Sequence, residues 1–267
     1  MNDYDTKILG DGTIGSGKYN NIKIMGNCTS LGDIECLDIT VMGDGEFNGE
    51  VDARNVKVMG DSTFNNDVKL KEFNIYGDTT LNGRGIIESL KVRGDFKGKK
   101  DIEVKENAKI LGDMSLAEGL IGKNIKILGD VKIKKNLIFD DINILGSMKV
   151  LGNCEGNNFY NKGEVKIEGL LSADKIEIIP KRTSRIEEIG GSEIIIKKSG
   201  WIDIVDGKVF SKLIEGDTII LQNTVCNIVR GQDITILEGC SIDKIEYTGK
   251  LTVDKNSKVG EELCLRN

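Results

Sequence analysis

A pair of residues followed by glycine, and then usually by Asp or Asn, recurs nine times in the first 147 residues, and the pair is apolar in all but Val92-Arg93. Instances include Ile8-Leu9-Gly10-Asp11, Val41-Met42-Gly43-Asp44, Val58-Met59-Gly60-Asp61, Ile75-Tyr76-Gly77-Asp78 and Ile144-Leu145-Gly146-Ser147. Successive glycines lie 16, 17, 17, 17, 17, 18, 17 and 17 residues apart. So constant a period is the signature of a chain built from stacked units, each unable to bury its own apolar face.

With the glycine as position zero, three apolar pairs per repeat fall at fixed offsets. Positions −4 and −2 hold pairs such as Ile39/Val41, Val56/Val58 and Ile125/Ile127; +2 and +4 hold Ser62/Phe64, Met114/Leu116 and Val131/Ile133. Positions +8 and +10 hold Ile34/Cys36, Val68/Leu70 and Leu137/Phe139. Members of each pair are two residues apart, the spacing at which strand side chains share a face. The expected fold is therefore all-β: a parallel β-helix, or solenoid, with three short strands per turn of ~17 residues. Equivalent strands of neighbouring turns would pair at ~4.8 Å. The glycine would sit at a corner, through positive φ or through its missing side chain. The Asp or Asn after it can bond to the backbone of its own turn.

The period slips after Gly146. About six residues, Gly156 to Lys162, read as an outward loop, with Val165/Ile167/Gly169 resuming the pattern. After Ile176/Ile178, the run Pro180-Lys181-Arg182 ends the regular register, although Ile194-Ile195-Ile196, Ile219-Ile220-Leu221 and Ile234/Ile236 remain strand-like. The expected organisation is a regular β-helix over 1–182 and a second, less regular β-helical segment over 183–267. Whether the second continues the first coil is open at this stage.

Composition narrows the function. The chain contains no histidine, which removes the commonest general base and the usual zinc ligand. Net charge is −6, with 37 basic and 43 acidic residues interspersed and no basic stripe, so neither nucleic acid nor anionic lipid is an expected partner. The amino terminus shows no apolar signal region, and cytoplasmic residence is the expectation. Six scattered cysteines without a C-x-x-C read as small hydrophobes in the reduced state.

Individual motifs dissolve into the repeat. Gly10-Asp11-Gly12-Thr13-Ile14-Gly15 satisfies G-x-G-x-x-G, but no helical period follows to present amides to a phosphate. Arg93-Gly94-Asp95 falls on the repeat as well. The column Asp11, Asn27, Asp44, Asp61, Asp78 and Asp95 offers one acid per corner, short of the six or more oxygens a hard cation wants. No catalytic, cofactor or metal residue is assigned. A carboxylate-only carbohydrate enzyme would need a deep acidic groove.

The tandem apolar-apolar-Gly-Asp turns and β-branched columns resemble the bactofilins, a polymer-forming bacterial cytoskeletal family. The segments Ile214-Glu215-Gly216-Asp217 to Asn227-Ile228-Val229-Arg230-Gly231 and Cys240-Ser241-Ile242-Asp243-Lys244-Ile245-Glu246-Tyr247 are similar to the longer Gram-positive type. The resemblance implies a right-handed coil that polymerises end to end without nucleotide. Many bactofilins carry a Pro-rich tail and a membrane-targeting segment; this chain shows neither, so membrane association is not expected.

The leading expectation is a self-assembling cytoplasmic scaffold, whose partners are further copies of itself and, secondarily, cell-envelope or cytoskeletal proteins. Open coil ends invite pairing, and head-to-tail stacking propagates. The expected end contacts are Ile8, Leu9 and Ile14 in the first turn and Val253, Val259 and Leu263 in the last. The alternative is a non-polymerising module that docks a protein or glycan through its carboxyl-terminal half, with Phe159, Tyr160 and Trp201 as its surface.

Overall fold

The computed structural model describes residues 4–198 and 207–265, and within them every regular element is a strand paired in parallel. The chain divides into two compact units, Met1–Lys135 and Asn136–Asn267. Both are parallel β-solenoids.

In the first unit most turns supply an eight-residue strand and a shorter one of three or four, such as Ile34–Val41 and Asp44–Phe47. The three inward pairs are present nonetheless. Ile34 and Cys36 point inward, then Ile39 and Val41, then Gly45 and Phe47. The step from 36 to 39 breaks the two-residue alternation, so Leu37 and Asp38 turn a corner without interrupting the hydrogen-bonded ribbon. Two faces of the coil thus share one strand. Register runs turn on turn, with Val41 opposite Val58 and Val58 opposite Ile75. The 18-residue repeat is absorbed in the nine-residue strand Ile102–Ile110, where the register shifts between Val104 and Asn107 and the extra residue bulges into solvent with Lys105 and Glu106.

The glycine column settles which property of glycine the corner uses. A Cβ on Gly60 would come closer than 3.0 Å to the carbonyl oxygen of Gly43, and one on Gly77 equally close to that of Gly60. Positive φ plays no part in this column; among the described glycines only Gly17 and Gly239 adopt it. The corner needs absent bulk, because each turn rests its backbone on the one before. Here the backbone N–H of Asp44 donates to Gly26 O at 3.1 Å, and that of Asp61 to Gly43 O at 3.2 Å. The Asp column therefore bonds through its main chain to the preceding turn, and its carboxylates stand outward rather than capping their own turn.

A different column supplies the side-chain caps. Asp33 Oδ1 accepts from Glu50 N at 2.8 Å, Asp67 Oδ1 from Arg84 N at 2.7 Å, and Asp101 Oδ1 from Gly119 N at 3.0 Å. Each cap reaches from one turn to the next, and an acid on every second turn suffices. Asn48, Asn65 and Asn82 form an amide ladder with 2.7 Å rungs.

Inside, volumes are exchanged within each turn. Where +4 is Phe47 or Phe64, +2 is Gly45 or Ser62; where +2 is Phe96, +4 is Gly98. The Phe47 and Phe64 rings stack at 4.6 Å, and Phe73 meets Phe64 edge-on at 5.6 Å. Small-beside-large keeps the narrow interior filled at native density.

The second unit corrects two expectations. Residues 156–162 do not loop out: Cys154–Asn161 is a strand in register with Leu137–Ile144, and Phe159 is buried. Gly163 continues the corner column, 17 residues after Gly146, with its absent Cβ against the Gly146 carbonyl. The turn was hidden because a polar residue, Asn161, fills the usual β-branched position. Its Oδ1 accepts from Gly163 N at 3.0 Å and its amide lies 3.4 Å from Ser184 Oγ, so the buried group is satisfied. Val165 and Ile167 are consequently the +2 and +4 residues of this turn rather than the start of a new register.

Beyond residue 163 the strands lengthen to 13–15 residues, as in Glu164–Ile178, Ser184–Ile196, Val209–Leu221 and Thr224–Ile236. They pair successively in one parallel ladder with Cys154–Asn161 on one side and Ser241–Tyr247 on the other, so within this unit the carboxyl-terminal segment continues the coil. A second close-approach column, Gly191, Gly216 and Gly231, replaces the first.

Replacing Gly60 by Ala forces a Cβ onto a backbone oxygen that cannot move without unstacking a turn. We expect a loss of about 2–3 kcal/mol in urea denaturation. Gly10→Ala, with nothing within 4 Å of the new atom, should change stability by less than about 0.5 kcal/mol. Equal costs at the two positions would refute the close-approach reading.

Candidate assembly surfaces

Among the described residues, each unit has two strands at which pairing stops on one side. In the first unit the strand Tyr4–Ile8 pairs only with Gly17–Ile24, and Gly12–Ile14 only with Asn27–Ser30. In the second unit Leu251–Val253 pairs only with Thr224–Ile236, and Lys258–Cys264 only with Ser241–Tyr247. Each leaves a row of backbone donors and acceptors facing along the coil axis, a template for another strand.

The residues expected at these ends are placed unequally. Ile8 is half-buried and Ile14 fully buried, both on inward columns of the first turns, whereas Leu9 faces outward from the wall and is 69% exposed. At the other end Val253 and Val259 are half-buried and Leu263 is exposed. Half-exposure at positions that are sealed in every interior turn is what an unfinished stack looks like. Of the residues expected to form a partner surface, Phe159 is core and cannot contact a partner, Tyr160 is half-buried, and Trp201 lies outside the described residues. The correction at Phe159 has the same cause as the missing loop: it is the −4 residue of an unrecognised turn.

Two shallow grooves mark the wall of the second unit. One runs past Lys166, Glu168, Arg185, Glu187 and Lys212, the other past Glu215, Arg230 and Glu246. The carboxylates of Glu168, Glu187, Glu215 and Glu246 are already engaged. Lys166 lies 2.9 Å from Glu168, Glu187 pairs with Lys212, and Arg230 bridges Glu246 at 2.8 Å and Glu215 at 3.0 Å. Hydrogen bonding from Lys166 holds the Glu168 carboxyl below its ordinary range, and Arg230 with Lys244 does so for Glu246. A general acid needs the opposite shift, toward neutrality at working pH. Among the described residues no group of three or more Cys, Asp or Glu is placed to hold a metal ion.

Five of the six cysteines belong to the wall's interior. Cys28, Cys36, Cys154, Cys226 and Cys240 are free and buried; Cys264 is free and exposed. Burial pushes the Cys36 and Cys226 thiols up to about 12, and raises those of Cys28, Cys154 and Cys240.

Comparison with known proteins finds partial likeness. The chain is 36% identical over 99 residues to the uncharacterized protein YhbF of Bacillus subtilis strain 168, covering 36% of this chain and 42% of that one. It is 34% identical over 100 residues to the uncharacterized protein YhbE of the same strain, covering 35% of this chain and 42% of that protein. The match thus spans less than half the length of either relative. No family model matches the chain, and no solved structure matches it significantly.

Thiol chemistry tests the placement. In the native protein only Cys264 should react with an alkylating reagent at mildly alkaline pH; the other five should wait for unfolding. The raised thiols also set a pH limit. Between about pH 9 and about pH 12 the unfolded chain releases protons that the folded chain retains, so stability should fall as pH rises through that window. Rapid native labelling of Cys36 would contradict the inward assignment.

Proposed function

We propose that this chain is a self-assembling structural scaffold, a cytoplasmic element of bactofilin-like type that joins to copies of itself without nucleotide. The observation that carries the reading is the pair of open ends. Strands at both are paired on one side only, and their inward side chains, Ile8 at one and Val253 and Val259 at the other, are half-exposed.

The physics favours growth through those ends. Every interior turn is stabilised by two neighbours, so an end turn has half of its possible backbone bonds and half of its apolar burial. Adding a turn from a second molecule recovers both. First and last turns are different surfaces, so their contact is heterologous and repeats into a linear polymer instead of closing at two. The energy comes from burial and strand pairing, which need no phosphate hydrolysis. The ion-paired grooves of the second unit add reason to look away from catalysis, and their lowered carboxyls are unsuited to acid–base work.

Sedimentation across a concentration series, without nucleotide, should show mass increasing with concentration, and negative-stain images should show linear oligomers. Val259→Asp places a charge on the half-buried end column and should shorten or abolish them while circular dichroism stays unchanged. A protein that remains monomeric at every concentration would exclude the scaffold and leave the binding-module reading.

A further inference from the structure

The residue immediately before each corner glycine points out of the wall, and in the first unit it is apolar on seven of eight turns. Leu9, Met25, Met42, Met59, Tyr76, Leu111 and Leu128 are between 37% and 69% exposed. Turn-on-turn bonds hold them in line: Met42 N donates to Ile24 O, Met59 N to Val41 O and Tyr76 N to Val58 O, all within 2.7–2.8 Å. The one polar member, Arg93, folds its guanidinium over the Tyr76 ring at 4.5 Å. The result is an apolar stripe parallel to the coil axis, interrupted once, at Arg93. On the order of 500 Å² of exposed apolar surface puts it near the top of what a monomer carries in one patch.

The flanks of the stripe are charged, and oppositely. Two residues before it runs a lysine column, Lys23, Lys57, Lys91, Lys109 and Lys126; two residues after it, across the corner, runs the Asp column, including Asp44, Asp61, Asp95, Asp113 and Asp130. Elsewhere on this unit some charges are matched from turn to turn, as in Lys18–Glu35 at 2.6 Å and Lys69–Asp52 at 3.4 Å. Among the described residues neither flanking column carries an ion pair within the chain, although the Lys57 ammonium lies over the Tyr76 ring, 5.2 Å from its centre. An apolar strip between an unmatched basic row and an unmatched acidic row is complementary to a surface of the same repeat with the rows exchanged.

We propose that the occupant of this stripe is a second copy of the chain, docked side by side with its coil axis parallel and in register. Symmetry selects the orientation. A two-fold axis parallel to the coil exchanges left and right flanks while keeping each turn at its own level, so Lys57 faces the partner's Asp61, and Lys91, Lys109 and Lys126 face its Asp95, Asp113 and Asp130. A two-fold axis perpendicular to the coil would put lysine over lysine and aspartate over aspartate. The strand spacing sets the repeat of stripe and flanks, and a second copy supplies that repeat without adjustment. With the flanking lysine stems included, each side approaches the ~800 Å² of a standard interface. Exposed ion pairs add little affinity individually; the stripe holds the pair and the charges fix its direction.

This pairing uses the wall and not the ends, so it stands or falls separately from end-to-end growth. In the full-length Val259→Asp protein, sedimentation equilibrium should report a dimer, and adding Met42→Asp with Met59→Asp, both on exposed side chains, should reduce it to monomer. A monomeric Val259→Asp protein overturns the pairing. Asp61→Lys should weaken the dimer about tenfold, and adding Lys57→Asp, which exchanges the charges in both copies, should restore it; a failure to restore overturns the proposed orientation. A measurement independent of the end variant uses single exposed thiols in a Cys264→Ser background, the five remaining cysteines being buried. Differently tagged Leu9→Cys and Leu128→Cys proteins are mixed and oxidised with copper phenanthroline, which takes two thiol hydrogens for each disulfide formed. Disulfides only between identical variants support the parallel pair; mixed disulfides, or none, overturn it.

Discussion

Backbone contact between successive turns is the constraint from which the rest follows. At the corner, one turn's glycine lies against the carbonyl of the glycine before it, closer than any side chain permits. That contact fixes the level of each turn and, through strand pairing, the register of every residue in it. Once the level is fixed, a residue's offset from the glycine decides whether it is core, corner or wall. Apolar side chains at six inward offsets fill the tube; polar ones at the corners tie turn to turn. Asp33, Asp67 and Asp101 cap forward to the next turn with bonds that no single turn could make for itself.

Much of this was legible because the repeat writes the same physical demand many times. The three inward pairs, the parallel stacking and the glycine corner could be read from Ile39/Val41, Val56/Val58 and Gly43/Gly60 alone. Where a turn met the demand with different chemistry, the reading failed. Asn161 substitutes a satisfied amide for a β-branched side chain, and with it the turn around Gly163 and the burial of Phe159 disappeared from view. The corner's requirement for absent bulk rather than positive φ needed coordinates, since both predict glycine. So did the caps, because an Asp seven residues after a glycine looks like any surface acid until its neighbour one turn on is known.

The ends and the outer stripe were unequally visible for a related reason. End residues are identified by position, and Ile8, Val253 and Val259 lie on strands that, among the described residues, are paired on one side only. The stripe lies in the repeat motif itself, as the second member of the apolar pair. Two adjacent apolar residues in a strand cannot both face inward. Val41 and Met42, or Val58 and Met59, therefore already imply that one of each pair is displayed. The alternation that located the core carried this information about the surface, and Leu9 belongs with the displayed set.

The two proposed contacts differ in what limits them. End stacking joins unlike surfaces, so it has no intrinsic stopping point, and its strength depends on how well a last turn imitates an interior one. Side-by-side pairing joins like surfaces through a two-fold axis, so it is complete at two. Because that axis runs parallel to the coil of the first unit, the first turns of both copies lie side by side at one level. A pair therefore presents two open ends at once, at one level. The second end contact made by an incoming pair is then intramolecular in effect, and linking two weak contacts in this way raises their joint strength without any new interaction. An antiparallel pair would instead hold its two first turns at different levels, and the gain would be lost. The charge order across the stripe, lysine before and aspartate after, is thus the feature that would let a wall contact reinforce growth at the ends.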